Sequence, residues 1–173
     1  DIPEVAETHI AGPGDVFPFG FEPTFYPHRL KEPLQRKRAA KIFTVDMGDL
    51  FGGFVPAEWI EQVIEVIKQA PQHTFQLLTK NPARMAKFSF PSNVWLGTTV
   101  TDEKSAYRLD VLREADNVTF ASFEPLLGHV DASLDGIDWI IIGAQTNPNK
   151  QPQEGWVSDI LARATVPVFM KDN

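Results

Sequence analysis

Six short apolar runs recur along the chain, and several of them are separated by segments with helical periodicity. They are KIFTVDM (41–47), HTFQLLTK (73–80), NVWLGTTV (93–100), NVTFASFEP (117–125), DWIIIGAQT (138–146) and VPVFMKDN (166–173). An interior strand of a parallel sheet is covered on both faces, so it reads as a continuous apolar run. The pattern therefore predicts an α/β fold of mostly parallel strands, either an open sheet or a partial or complete TIM-type (β/α) barrel.

The segments between the runs carry the 3.6-residue period of amphipathic helices. Helices are predicted in AEWIEQVIEVIKQA, NPARMAKF, DEKSAYRLDVLREA and WVSDILARA. Asn81 is the predicted N-cap of the second helix and Thr101 that of the third, because their side chains accept hydrogen bonds from exposed backbone N–H groups. The apolar stripes of the first and last helices are Ile60, Val63, Ile64 and Ile67, and Val157, Ile160, Leu161 and Ala164.

The first 38 residues differ from the rest of the chain. Proline and glycine recur through residues 1–27, so neither a helix nor a strand can extend far. The same stretch carries the aromatic residues Phe17, Phe19, Phe21, Phe25 and Tyr26. Such rings favour a lid packed on the core over a disordered tail. We therefore predict one α/β domain over residues 1–173, with residues 1–38 as an irregular segment packed on it.

Composition restricts the possible partners and location. No apolar run reaches the 18 residues that a membrane span requires, and the chain does not open with a signal-peptide pattern. A cytoplasmic protein without membrane contact is therefore expected. The net charge of −7 argues against a protein that holds nucleic acid by bulk charge. Residues 28–41 are a local exception, with six basic residues against one acid; a solvated face is favoured there over a nucleic-acid contact.

The chain contains no cysteine. This excludes disulfides, thiolate zinc sites, a cysteine nucleophile and any iron–sulfur cluster ligated by these residues alone. The four histidines do not have the close spacing of a helical metal site, so no metal site is predicted. His73 follows Pro71-Gln72 and starts a strand, where a capping or surface position is expected.

Polar residues follow the apolar runs, and in parallel α/β folds the active site lies at the carboxyl ends of the strands. Asp46, Asp49 and Lys80 are the catalytic candidates. Two carboxylates in a strand-to-helix loop can bind a cation, accept hydroxyl groups or act as a base, although aspartate also stabilises turns. Lys80 reaches a phosphate or carboxylate, or it is solvated.

Glu124 is the most informative of the polar residues, because it emerges from the apolar run VTFASF. A carboxylate there must be paired, hydrogen-bonded or neutralised, since its desolvation is costly. We expect Glu124 to lie deepest in the site, with Lys171 as its cation and ligand contact. All strands being parallel, the following residues are predicted to converge at one end of the sheet: Asp46, Thr79, Thr99, Glu124, Gln145 and Lys171.

Several strings together resemble a phage-associated family of uncharacterised proteins grouped with the radical S-adenosylmethionine superfamily. They are FEPTFYPHRLKEP, MGDLFGGFVPAEWI, PQHTFQLLTKNPARM, NVWLGTTVT, FASFEPLLG and GIDWIIIGAQTNP, in unbroken order across residues 17–173. The resemblance implies a radical SAM-like barrel with S-adenosylmethionine and a four-iron cluster as cofactors. It also implies cofactor contacts from Thr98, Thr99, Glu124 and Gln145, with Asp46, Asp49 and Lys80 facing the substrate.

The CxxxCxxC loop that binds the cluster in that family is absent from residues 1–17. Two interpretations therefore stay open. The protein is a radical SAM-like enzyme whose cluster ligands lie outside these residues, with an unknown substrate. Alternatively, it is a cluster-free barrel that binds a phosphorylated or nucleotide-like ligand through Lys80, Lys171 and residues 28–41. A structural phage protein fits less well, because virion proteins need surfaces more than pockets.

Overall fold

The computed structural model describes residues 8–172. Its strands are β1 (His9–Ile10), β2 (Thr24–Phe25), β3 (Lys41–Thr44), β4 (Thr74–Thr79), β5 (Val94–Thr99), β6 (Val118–Phe123), β7 (Trp139–Ile142), β8 (Gln145–Thr146), β9 (Asn149–Lys150) and β10 (Val168–Met170). Its α-helices are α1 (Glu32–Gln35), α2 (Ala57–Gln69), α3 (Pro82–Met85), α4 (Tyr107–Leu112) and α5 (Glu154–Arg163). Two 3-10 helices cover Pro27–Lys31 and Glu103–Ser105.

Six strands form one parallel sheet in the order β10-β7-β6-β5-β4-β3, which curls into a half-barrel. Each of the six apolar runs supplies one of these strands, so the predicted α/β fold with a partial barrel is confirmed. The strand order follows the chain order, as expected when successive βα units add to one edge of a growing sheet.

The outer face of the sheet packs against the helices and forms the hydrophobic core. Alternate strand residues point to it, among them Leu77, Leu96, Phe123 and Ile142. The helices contribute their own apolar stripes to the same core, and Ile60, Ile64 and Ile67 of α2 are buried as predicted. On α5, Ile160 is buried but Leu161 is 41% exposed, so Leu161 was wrongly assigned to the buried stripe.

The inner face carries the intervening residues of each strand, and aromatic rings fill its lower half. The Phe120 ring lies across Gly97 on the neighbouring strand, where any Cβ atom would overlap it. Phe120 also contacts Trp139, with 5.5 Å between ring centroids, and Trp139 meets Trp95 edge-on at 5.9 Å. This cluster closes the inner face near the amino ends of the strands, and the carboxyl ends stay more polar.

The N-cap predictions had different outcomes. Asn81 caps α3 as predicted, and its side chain accepts a hydrogen bond from the Arg84 N–H. The 3-10 helix that leads into α4 is capped by Asp102, so Thr101 was the wrong choice. The Asp102 carboxylate accepts from the Ser105 N–H at 3.1 Å, and the Ser105 hydroxyl lies 3.1 Å from the Asp102 N–H. This reciprocal capping box satisfies two backbone donors at once.

The N-terminal segment is only partly packed on the core. Phe25 stacks on Trp59 of α2 with ring centroids 5.0 Å apart, as expected of a lid. Phe17 is 59% exposed and the Phe21 side chain is fully exposed, so the predicted packing is wrong for these two rings. Both rings lie in the turn-rich stretch between β1 and β2. Residues 1–7 of the predicted lid lie outside the described residues.

His73 was expected at a capping or surface position; it is buried, so the surface alternative is wrong. Its Nδ1 accepts a hydrogen bond from the Ala40 N–H at 3.2 Å, and its Nε2 lies 3.0 Å from the carbonyl oxygen of Pro33. The imidazole thus fastens the segment before β3 to the start of β4. Sequence spacing does not reveal these contacts, because the partners lie 33 and 40 residues away.

The predicted central strand in 138–146 is β7, which pairs with β6 and β10. Ile140 is fully buried on the outer face, whereas Ile141 is only half-buried on the inner face. We expect Ile140→Ala to cost about 2–5 kcal/mol in chemical denaturation, because it leaves a cavity in the core. Ile141→Ala is the matched control and should cost less; equal costs would contradict this assignment of faces.

Candidate functional site

The polar residues predicted from the strand ends lie at one edge of the sheet, since all six strands run parallel. Two clusters form there. One joins Asp49, Thr79 and Lys80 at the β3 and β4 ends. The other joins Glu124, Lys171 and Gln145 at the β6, β7 and β10 ends. Thr99 ends β5, the strand between the two clusters, and is buried.

The Asp49 carboxylate ties the loop after β3 to the end of β4. It accepts hydrogen bonds from the Thr79 hydroxyl at 2.7 Å, the Lys80 N–H at 2.8 Å and the Phe51 N–H at 3.0 Å. A carboxylate offers about four lone-pair sites, so three donors occupy most of its accepting capacity. Asp49 therefore holds the loop in place, and a catalytic role for it stays a prediction.

Arg84 of α3 supports the same loop, although the sequence had not singled it out. Its guanidinium donates to the carbonyl oxygens of Gly52 and Val55. The side-chain amide of Asn81 donates to the carbonyl oxygen of Phe51 at 3.2 Å. No local pattern could have identified Arg84, because its acceptors are carbonyl groups about 30 residues earlier in the chain.

Asp46 and Lys80 both expose their side chains to solvent. The hydrogen bond that Arg29 donates to Glu32 raises the pKa of Arg29 above its usual value, and the negative charge of Asp46 adds to this rise. Asp46 is therefore close enough to Arg29 to act on it electrostatically. Lys80 contacts Asp49 through its backbone N–H.

Glu124 and Lys171 form the predicted ion pair, with Oε2 and Nζ 2.8 Å apart. The Glu124 side chain is 23% exposed, whereas Thr98 and Thr99 are almost completely buried. Glu124 is thus not the deepest of the predicted residues, because it follows Phe123, the last residue of β6, and stands at the rim. Its partner Lys171 directly follows β10 in the same way.

Gly143 makes this ion pair possible. β7 lies between β6 and β10, so Glu124 must cross the end of β7 to reach Lys171. A Cβ atom at Gly143 would lie only 2.9 Å from Cγ, Cδ and Oε1 of Glu124. The carboxylate therefore occupies the space that the side chain of any other residue type would fill.

A cleft of about 360 Å³ adjoins the ion pair. It is lined by Glu124, Pro125, Leu127, Ala144, Gln145, Thr146 and Asn147. One wall is formed by β8 and by Asn147, which follows it in the turn to β9. The Gln145 amide donates to the Asn147 carbonyl oxygen at 3.1 Å within this hairpin.

Thr98 and Thr99 point to opposite faces of β5. The Thr98 hydroxyl is fully buried and donates to the Thr79 carbonyl oxygen at 2.9 Å, so it links β4 and β5. Thr99 belongs to the inner face, and its carbonyl oxygen accepts a hydrogen bond from Arg108 at 2.8 Å. Only Thr99 of the predicted pair therefore lies on the side of the candidate site.

Within residues 8–172, no three histidine, aspartate or glutamate side chains are grouped so as to hold a metal ion. No helix among these residues is long and apolar enough to cross a membrane.

The model of a protein family matches residues 8–172, a range that includes both clusters and the cleft. The chain belongs to the DUF5131 family, described as a protein of unknown function. No curated protein matches the sequence of this DUF5131 member. No solved structure matches it either.

In this DUF5131 protein, Gly143→Ala should force the Glu124 side chain away from Lys171 and cost about 1–3 kcal/mol through overpacking. If Gly143 and Glu124 are coupled in this way, Glu124→Gln should lower the free energy of unfolding less in the Gly143→Ala background than in the wild type. Chemical denaturation of the wild type, the two single variants and the double variant measures this coupling. Gly155→Ala is the control, since a Cβ atom added at Gly155 would have no other heavy atom within 4 Å; additive costs would contradict the proposed contact.

Asp49→Asn should destabilise the same protein by about 1–3 kcal/mol, because the amide N–H₂ would face a backbone or hydroxyl donor. Asp46→Asn removes the same charge from an exposed position in the same loop. Its expected cost is under about 0.5 kcal/mol. Urea denaturation compares the two variants, and similar midpoints would show that Asp49 does not hold the loop.

Proposed function

We propose that this protein is a radical SAM-like half-barrel that binds a small molecule at the cleft beside Glu124. The observation that carries the proposal is the Glu124–Lys171 pair, which spans Gly143 at the carboxyl ends of β6, β7 and β10. Opposite charges fixed side by side at the mouth of a barrel suit a ligand that itself carries both charges. Such a ligand presents an ammonium group to Glu124 and a carboxylate to Lys171.

S-adenosylmethionine, the ligand implied by the sequence resemblance, has this charge pattern at its methionine end. The apolar side chains of Pro125 and Leu127 line the same cleft and offer surface to an adenine ring. The Gln145 side chain supplies an amide at the edge of that surface. When bound, S-adenosylmethionine supplies a carbon activated by its sulfonium. The residues of the cleft orient the ligand and reduce its contact with water.

The residues of this chain do not fit a four-iron cluster. The 173 residues include no cysteine, and no metal-competent group of three side chains occurs in the described range. Radical chemistry requires thiolates that these residues do not supply, so we assign no catalytic step to a cluster. We therefore propose a half-barrel with a ligand site, and we assign no reaction and no substrate to it.

A phosphorylated or nucleotide-like ligand matches the cleft less well. Lys171 is already paired with Glu124, so the pair carries little net positive charge. Asp46 and Asp49 add negative charge at the same edge of the sheet, near Lys80. A phosphate group needs an excess of donors and positive charge, and this edge does not provide it.

Thermal unfolding and titration calorimetry with S-adenosylmethionine test the proposal directly. The ligand should raise the melting temperature of the wild type, because it binds only the folded state. Glu124→Gln and Lys171→Gln should fold normally and bind about tenfold more weakly or worse, a loss of about 1.4 kcal/mol or more. Glu65→Gln is the control, because it breaks an exposed ion pair with Lys68 on α2, away from the cleft.

Adenosine triphosphate is the second arm of the same experiment. A rise in melting temperature with adenosine triphosphate and none with S-adenosylmethionine would favour the phosphorylated ligand. No shift with either compound, together with loss of folding in Glu124→Gln, would identify Glu124 as a structural carboxylate and refute the proposed site.

A further inference from the structure

A basic segment lies at the amino ends of the strands, opposite the cleft. Arg36, Lys37 and Arg38 precede β3 and expose their side chains to solvent. None of the three forms an ion pair within residues 8–172. The protein carries a net charge of −7, so three adjacent unneutralised cations are a local departure from its overall charge.

The backbone of the basic segment is fixed to the base of the sheet. The Gln72 side chain donates to the Arg36 carbonyl oxygen, and His73 accepts from the Ala40 N–H. The Thr74 N–H donates to the Ala40 carbonyl oxygen at 3.0 Å, which continues the pairing of β3 with β4. The cations are therefore displayed from an ordered backbone, which lowers the entropic cost of contacting a ligand.

Aromatic side chains adjoin the basic segment on the inner face. Lys41, the first residue of β3, extends its ammonium group over Trp95, 4.7 Å from the ring centroid. Trp95 then contacts Trp139, the first residue of β7. Phe43 of β3 is 45% exposed at the open edge of the half-barrel, next to Gln76 and Trp95 in register. We call this set the basal surface: Arg36, Lys37, Arg38, Lys41, Phe43, Trp95 and Trp139.

The residues at this end of the sheet differ in charge from one side to the other. Asp116 and Asp138 precede β6 and β7 at the same end of the sheet. The Asp138 carboxylate accepts from the Thr119 N–H of β6 at 2.8 Å and thereby ties the start of β7 to β6. Asp116 is exposed and makes the β6 side acidic. Arg36, Lys37 and Arg38 thus make the β3 side of this end positively charged, and Phe43 is exposed on the same strand.

We infer that the basal surface binds single-stranded nucleic acid, with phosphates on Arg36, Lys37 and Arg38 and a base stacked on Phe43. Cations that follow a strand's backbone, beside aromatic rings that accept any base, are the common basis of sequence-tolerant single-strand binding. An acidic polypeptide would use the cations but would gain no stacking from the rings. This site is independent of the cleft at the opposite end of the strands.

Fluorescence anisotropy with a labelled oligothymidylate of about 12 nucleotides tests the inference. The double variant Lys37→Gln/Arg38→Gln should weaken binding about tenfold and reduce the dependence on salt by about one unit of slope per lost phosphate contact. The control Lys104→Gln/Lys150→Gln removes two exposed cations at the opposite end of the strands and should bind like the wild type. An equal loss of affinity in both double variants would show that binding depends only on the overall charge of the protein, and it would overturn the inference.

Phe43→Ala tests the stacking contact and should reduce the affinity about fivefold or more. Phe169→Ala is the matched control, because Phe169 is 52% exposed at the other edge of the sheet. Glu124→Gln should leave the affinity unchanged, which separates this site from the cleft. Thermal denaturation confirms that each variant is folded before binding is compared.

Two further probes identify the partner. An abasic oligonucleotide of the same length keeps the phosphates and should bind more weakly than the oligothymidylate. Binding of equal strength would refute the stacked base. Polyglutamate of similar length should not compete with the oligothymidylate; if it does so at equal concentration, the partner is an acidic polypeptide and the inference fails. If the wild type does not bind the oligothymidylate at low salt, the inferred nucleic-acid site is refuted.

Discussion

In residues 8–172, the structure depends on a parallel sheet whose outer face is covered by helices. The outer face buries its apolar side chains against the helices, as parallel sheets generally do. The inner face has no such cover in the described part of the chain and must fill its own concavity. Phe120 does so by lying across Gly97, with Trp95 and Trp139 beside it. The half-barrel is therefore filled near the amino ends of its strands, and its open space lies near their carboxyl ends.

The loops at the open end are held mainly by side chains that bind backbone groups. Asp49 and Arg84 fasten the loop after β3, and Arg163 of α5 donates to the carbonyl oxygens of Val130 and Ala132 in the loop before β7. Irregular backbone has unpaired N–H and C=O groups, and each that is removed from water requires a partner. The same hydrogen bonds keep the rim ordered, so that polar groups such as Glu124 occupy fixed positions.

The sequence predicted the six strands of the main sheet, their parallel arrangement and the pairing of Glu124 with Lys171. These follow from local apolar runs and from the rule that parallel strands end at one edge. The burial of His73, the role of Arg84 and the exposure of Phe17 could not be predicted, since each depends on residues distant in sequence or on the path of a turn. The N-cap of the 3-10 helix before α4 is Asp102 and not Thr101. Either residue satisfies the local sequence pattern, and only the backbone geometry distinguishes them.

The two outer strands of the half-barrel raise the question of what prevents sheets of separate molecules from joining. Exposed strand edges are templates for intermolecular pairing and for aggregation. β3 is four residues long and begins with a lysine, and β10 has only three residues. Immediately after β3, Val45 adopts a left-handed conformation with φ of 60°, so the extended edge stops there. Short, interrupted edges of this kind protect an open sheet from polymerising, and lengthening either strand would remove that protection.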